Sequence, residues 1–111
     1  MTIKSLEQTS LPEIVKTFNE SFADYFVKIK LTQDQLIQKM TLENIRLNYY
    51  VGAFIDGQLV GLILSGIDNF KGIKTGYNGG TGVIPEHRGK GITPQLYEFL
   101  IEKYKKEGVV L

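Results

Sequence analysis

The sequence predicts an α+β domain built on a mixed, largely antiparallel sheet with helices on both faces. Three observations carry this reading. Two Ser/Thr-x-x-Glu/Gln signatures, at Ser10–Glu13 and Thr32–Gln35, open amphipathic stretches in the first third of the chain. An Asp56-Gly57 turn joins two β-rich runs in the middle. A glycine-punctuated run then passes through a charged loop into a last amphipathic segment.

Thr2 to Leu6 is a short apolar-tending run and reads as an edge strand. Ser10 caps the first helix, Pro12 fits its first turn, and Glu13 completes a capping box. Ile14, Val15, Phe18 and Phe22 follow at helical spacing. Thr32 and Gln35 repeat the signature, and Leu36, Ile37, Met40 and Ile45 continue it as a second helix. Between the two lies an aromatic connector, Asp24 to Ile29, with no clear period.

Tyr49 to Ile55 is β-rich, and Gln58 to Ile67 is apolar on both alternating faces. A strand apolar on both faces is most easily buried in mid-sheet with helices on each side. Asp68 to Gly72 reads as a second turn and Ile73 to Val83 as a strand holding Gly76, Gly79, Gly80 and Gly82. Glycine weakens strands, so four in one imply a bulge or a close approach by ligand or backbone. Pro94 marks the first turn of the last helix, since deeper inside it would cost about 3 kcal/mol. Ile92, Leu96, Phe99 and Leu100 form the buried stripe of that helix. Lys103, Lys105 and Lys106 suit its C-terminal end, Gly108 stops it, and Val109 to Leu111 reads as the start of a further strand.

The length, 111 residues, suits a single domain spanning 1–111. A hydrophobic share of 42% with 23% charged residues is that of an ordinary soluble globular chain. The net charge of +1 gives no reason to expect nucleic acid or a membrane surface as partner. With no cysteine, disulfides, thiol nucleophiles and thiolate metal sites are excluded, and no metal is expected. No signal-peptide pattern opens the chain, and no run approaches the roughly 18 to 20 apolar residues of a membrane span. A cytoplasmic protein is the expectation.

The stretch Val83-Ile84-Pro85-Glu86-His87-Arg88-Gly89-Lys90-Gly91-Ile92 joins the glycine-rich strand to the last helix. A loop rich in backbone N–H donors and positive charge, set before a helix N-terminus, suits a polyphosphate group. A glycine-capped turn without a ligand is the plainer alternative. A Walker loop would need Ser or Thr after Lys90 and glycine at position 84, where Gly91 and Ile84 stand. A dinucleotide fingerprint would need glycine where Pro94 stands, and Gly80-Thr81-Gly82 fails likewise at Pro85.

The stretch is similar to the acyl-CoA signature of the GNAT superfamily of N-acyltransferases. Its Val-x-Pro-x-x-Arg-Gly-x-Gly core is met at Val83, Pro85, Arg88, Gly89 and Gly91. The Arg/Gln-x-x-Gly-x-Gly/Ala element is met at Arg88 and Gly91, with Thr93 in place of the final small residue. The predicted order of elements also resembles that family over essentially the whole chain. The resemblance implies that backbone N–H groups from Arg88 to Thr93, Ile92 among them, hold the pyrophosphate of acetyl-CoA, with Arg88 and Lys90 adding charge. It implies that Thr81 and Val83 pair with the pantetheine arm, and that a backbone N–H there polarises the thioester carbonyl. Thr93 departs from the small-residue preference of the Arg/Gln-x-x-Gly-x-Gly/Ala element, and its hydroxyl would be able to add a phosphate hydrogen bond.

The implied reaction is direct transfer of an acetyl group from acetyl-CoA to an unidentified primary amine. Glu86 is either a surface carboxylate or a base acting through water, and His87 either a base or a solvated residue. Tyr77 and Asn78, on the fourth strand, either touch the reacting groups or pack. Asp24, Tyr25 and Phe26 occupy the connector that lines the acceptor pocket in the resembled family, with plain aromatic packing as the alternative. In that family the leaving-group acid is often a tyrosine on a helix beyond a fifth strand. That helix and its flanking strands have no counterpart here, so the chain corresponds to the N-terminal portion of the fold, truncated after the third helix. The fourth strand would then expose its edge, and a homodimer or larger assembly through that edge is expected. The alternative function is a non-catalytic CoA-binding or assembly module, or an inactive fragment of a longer acetyltransferase.

Overall fold

The computed structural model describes residues 1–23, 31–42 and 47–109. Four strands form one sheet in the order β1 (Thr2–Ser5), β2 (Val51–Ile55), β3 (Gln58–Phe70) and β4 (Ile73–Val83), every pair antiparallel. Helices α1 (Leu11–Ser21) and α2 (Gln33–Leu42) precede β2, and α3 (Ile92–Lys106) follows β4. The expected α+β class with helices on both faces is borne out. One core layer packs Leu96, Leu100 and Tyr104 of α3 against Val51, Ala53 and Ile63. The opposite layer packs Ile14 of α1 and Leu36 of α2 against Phe54, Leu62 and Leu64.

The helix starts follow the sequence signals. Ser10 Oγ accepts from the Glu13 N–H at 3.3 Å. At α2 the capping box closes in both directions, Gln35 N to Thr32 Oγ1 at 3.1 Å and Thr32 N to Gln35 Oε1 at 2.9 Å. Helix α3 ends in a Schellman motif, in which the Val109 and Gly108 N–H groups reach Tyr104 O and Lys105 O. Gly108 takes φ 68° there, so the stop read from the sequence is borne out.

Several expectations need correction. Ile37 is 43% exposed, because it lies 100° around α2 from the Leu36 and Met40 side that meets the core. Tyr49 sits in a short 3₁₀ turn, Leu47–Tyr49, and strand β2 begins at Val51. The second turn is not Asp68–Gly72: Asp68, Asn69 and Phe70 pair with Thr75, Lys74 and Ile73, and only Lys71 and Gly72 turn, both at positive φ. Asp and Asn favour turns, but a two-residue hairpin loop needs no more than those two positions. Ile45, which the sequence placed in the second helix, lies outside the described residues, as do Val110 and Leu111.

The glycines of β4 do what the sequence asked of them. Between Leu64 and Ser65 the register shifts: Leu64 faces Gly80 and Ser65 faces Asn78, which leaves Gly79 as the extra residue of a bulge. A second bulge lies at Val60, between the Ala53–Gly61 and Phe54–Leu59 pairs. Gly76 lies under the ring of Tyr104, where an added Cβ would stand 2.3 Å from a ring carbon. The Tyr104 hydroxyl donates to Gly66 O at 3.1 Å and pairs with Ser65 Oγ. Burial pushes the phenol up from its ordinary value, and the Ser65 bond partly opposes that shift. With its hydroxyl bonded on β3, this ring cannot slide aside. We therefore expect Gly76→Ala to destabilise the fold by about 1–3 kcal/mol through overpacking. Urea denaturation measures it, and an unchanged midpoint would show that α3 gives way there.

Candidate active site

A cleft of about 500 Å³ opens where β4 ends and α3 begins. Its walls are Thr81, Gly82 and Val83 of β4, His87, Arg88 and Gly89 of the loop, Gly91 to Pro94 at the start of α3, and Ser21 at the end of α1. The site is thus assembled from both layers of the fold, with the sheet end between them.

The loop is anchored before it reaches the cleft. Val83 and Ile84 are buried, and the Ile84 N–H donates at 2.9 Å to the carbonyl of the bulged Val60. Pro85–His87 then forms a 3₁₀ turn, closed by His87 N to Ile84 O at 3.0 Å and Arg88 N to Pro85 O at 3.3 Å. Gly89 (φ 80°) and Gly91 (φ 73°) are left-handed, a conformation that costs other L-residues about 1–2 kcal/mol. A Cβ on either would meet nothing within 4 Å, so the backbone angle and not crowding demands glycine. Gly91 is the N-cap of α3 and has no side chain to satisfy the first-turn donors. Those N–H groups and the positive end of the helix dipole open onto the cleft, which suits an anion.

Arg88 has a structural part beyond its charge. Its Nε donates to Val83 O at 3.1 Å and its Nη2 to Ser21 O at 2.5 Å. One guanidinium therefore ties the end of β4 and the C-terminal turn of α1 to the loop. Ser21 is further fixed by its hydroxyl, which donates to Thr17 O at 2.7 Å, and its Cβ lies where a side chain on Gly82 would go. Lys90 Nζ donates to His87 Nδ1 at 3.1 Å, which places the imidazole proton on Nε2 in this arrangement. His87 lines the cleft; Glu86 and Lys90 are exposed beside it.

At the far end, Thr81 Oγ1 stands 3.1 Å from Tyr97 Oη of α3. The structure therefore brings Thr81, Val83, Arg88, Gly89, Gly91, Ile92 and Thr93 to one cleft. Tyr77 and Asn78 lie on β4 opposite Gly66 and Ser65, upstream of the bulge. Asp24, Tyr25 and Phe26 fall outside the described residues. The segment is entered by way of Ser21 and left at Leu31, whose backbone N–H and C=O are both held by the Asn19 side chain at 2.6 and 2.8 Å. Ser21 and Tyr97 were missed from the sequence. The only local signal for Tyr97 was its place beside Leu96 on the buried stripe of α3. Among the described residues no His/Asp/Glu group has the arrangement of a metal site, and no helix is long and apolar enough to cross a membrane.

Residues 11–111 match the family model of the GNAT acetyltransferases. The chain belongs to the GNAT acetyltransferase family. Solved structures agree on the fold. A ribosomal-protein-alanine N-acetyltransferase from Brucella melitensis biovar Abortus 2308 superposes with a TM-score of 0.71 at 23% identity, over 100% of this chain and 79% of that one. A GNAT family acetyltransferase from Brucella melitensis, in complex with acetyl-CoA, gives 0.74 at 18% identity, over 96% and 70%. The ribosomal-protein-S18-alanine N-acetyltransferase from Escherichia coli gives 0.73 at 19% identity, over 96% and 61%. A sequence search of curated proteins finds no match.

For this GNAT domain the tether through Arg88 is open to a direct test. Arg88→Met keeps the apolar stem but loses both carbonyl bonds. We expect a stability loss of about 1 kcal/mol, since a charge-assisted bond is worth more but Arg88 is exposed to water. Arg88→Lys should recover little, because one ammonium cannot reproduce the planar fork that meets two carbonyls. Full recovery of the denaturation midpoint by lysine would show that charge alone matters.

Proposed function

We propose that the domain transfers an acetyl group from acetyl-CoA to a primary amine by direct attack of the amine on the thioester. The observation that carries this reading is the continuity of the cleft. Left-handed glycines and the uncapped start of α3 lie at one end and the last residues of β4 at the other. The residues fit the donor: the phosphate end meets backbone N–H groups of Gly91 to Thr93, the Thr93 hydroxyl and the charges of Arg88 and Lys90. The pantetheine arm would lie along Thr81 to Val83 like an added strand. Acetyl-CoA supplies the activated acyl group; the remaining chemistry belongs to the chain.

An alkyl amine with a pKa of about 10 is mostly protonated at neutral pH, so a proton must leave before attack. Glu86, exposed beside the cleft, can receive that proton directly or through water, whereas His87, which lines the cleft, can do so only when Lys90 releases its Nδ1. A backbone N–H at the end of β4 serves the developing oxyanion. No cysteine is available for a covalent acyl-enzyme, which agrees with a one-step transfer. The acceptor class, an amine such as the N-terminus of a peptide, is suggested by the alanine N-acetyltransferases that share the fold.

The test combines binding with turnover. CoA at a hundredfold over its Kd should stabilise the protein by about 2.7 kcal/mol. Acetyl-CoA should be consumed with at least one member of a panel of primary amines that includes an alanine-initiated peptide. Stabilisation without turnover would leave a CoA-binding module, and absence of both would end the CoA reading.

Assembly belongs to the same proposal. Strand β4 ends the sheet order among the described residues, and Ile73 at its start is 54% exposed. We infer that a second copy pairs along the upstream part of this edge and leaves the cleft end to the donor. Light scattering at micromolar concentration should give the mass of a dimer or more; a clean monomer overturns it.

A further inference from the structure

His87 is the single histidine of the chain, and Lys90 decides how its ring can be used. The residue closes the 3₁₀ turn Pro85–His87, which is pinned to β3 by the Ile84 N–H on Val60 O, so the ring stands on a fixed backbone. Left-handed Gly89 lies between His87 and Lys90, and Lys90 Nζ comes to 3.1 Å from His87 Nδ1. An ammonium has donors only, so Nδ1 is the acceptor of this bond and the ring carries its proton on Nε2. His87 lines the cleft where β4 ends and α3 begins. With Nδ1 engaged, what the ring can bring to that cleft is one N–H donor and no acceptor. A wall of donors suits an anionic oxygen, and the backbone N–H groups of Gly91 to Thr93 open onto the same cleft. Arg88, next in the chain, directs Nε and Nη2 to the carbonyls of Val83 and Ser21, so part of its own donor capacity is spent on the protein.

We propose that His87 Nε2–H donates to a pyrophosphate oxygen of the acyl-CoA donor, and that Lys90 acts through His87 as a positioning residue. This assignment rests on the acyl-CoA reading given above. Lys90 holds the ring in one orientation and one tautomer, and its ammonium polarises the imidazole, which strengthens Nε2–H as a donor. Without that bond the ring samples both tautomers and can turn its unprotonated nitrogen to the phosphate, lone pair against lone pair. No covalent bond is made or broken at His87. While the pair is closed His87 binds the donor, and the proton of the attacking amine is left to Glu86 or water.

A single histidine makes the test direct, since every imidazole nitrogen resonance of the isotope-labelled protein belongs to His87. At about pH 8, where imidazole is neutral, the free protein should show Nε2 protonated and Nδ1 not. Lys90→Met should draw the two resonances together as the tautomers mix. Dephospho-CoA, which keeps the pyrophosphate and lacks the 3′-phosphate, should shift Nε2 more than Nδ1, as CoA does. In binding titrations His87→Phe should weaken dephospho-CoA about tenfold, the lower end for a bond to a charged group. His87→Gln keeps an N–H near the Nε2 position and should stay within about threefold of the wild type. Lys90→Met should cost about tenfold with His87 present and about twofold or less in the His87→Gln background. Equal costs in the two backgrounds would make Lys90 a plain charge and overturn its positioning role. An Nε2 resonance unmoved by bound dephospho-CoA, or moved by CoA alone, overturns the pyrophosphate contact. Failure of the wild-type protein to bind CoA overturns the acyl-CoA reading, and this assignment with it. Binding with the Nε2 shift but no acetylated amine would end the transfer reading and leave the contact standing.

Discussion

One extra residue in β4 decides which way every downstream side chain points. Upstream of the bulge at Gly79, the even-numbered Gly76 faces α3 and lies under Tyr104. Downstream, Gly80 and Gly82 face α1, so the odd-numbered Thr81 and Val83 face α3. Side chains alternate with a period of two, so removing the bulge would exchange these faces. Val83 would leave the α3 core, Thr81 would lose Tyr97, and a side-chain-free position would no longer meet Ser21. The cleft, its anchoring and its polar end all hang on that register.

The matching bulge at Val60 fixes the other end of the same problem. Its carbonyl receives the Ile84 N–H, and the neighbouring Leu59 carbonyl receives Thr17 Oγ1 at 3.4 Å. Gly61 beside it has no side chain, and a Cβ there would press on Ile92 and Val83 at 3.1 and 3.3 Å. Close approach of α3 to the sheet therefore occurs one residue away from the cleft-lining Thr93. Ile92 and Val83 belong to the core and also line the cleft, so the flexible-looking glycine loop is held on rigid supports at both ends. The two left-handed glycines then shape only the short span between those supports.

Legibility in the sequence divides along the range of the interaction. Capping at Ser10 and Thr32, the Asp56-Gly57 hairpin and the stop at Gly108 depend on residues within one turn of each other, and they read correctly. The signature from Val83 to Gly91 was also readable, because left-handed glycines and a helix start are local requirements. What escaped depends on distant partners. Tyr104, which has no place in the predicted stripe of α3, is buried because its ring covers Gly76 and its hydroxyl reaches Gly66 O. Arg88 read as a charge for phosphate, and nothing nearby in sequence announces that Ser21, 67 residues away, supplies a carbonyl to it. Ile37 shows the reverse error, an apolar residue counted into a stripe that is narrower than its composition suggests.

The attraction of this site for an anion is local. The chain has 13 basic and 12 acidic residues, so no large overall field draws a negative ligand toward it. Arg88, Lys90 and His87 gather instead around the start of α3, and at physiological salt their influence fades within about 8–10 Å. Part of that charge is already directed into the protein, since Arg88 holds two carbonyls and Lys90 holds His87. Backbone donors at Gly91 to Thr93, which need no reorganisation and cannot be screened away as readily, would on the proposed reading give the anion its fixed position. On the same reading, side-chain charge would favour capture, while the geometry of the peptide backbone would decide where the ligand rests and hence where its far end meets β4.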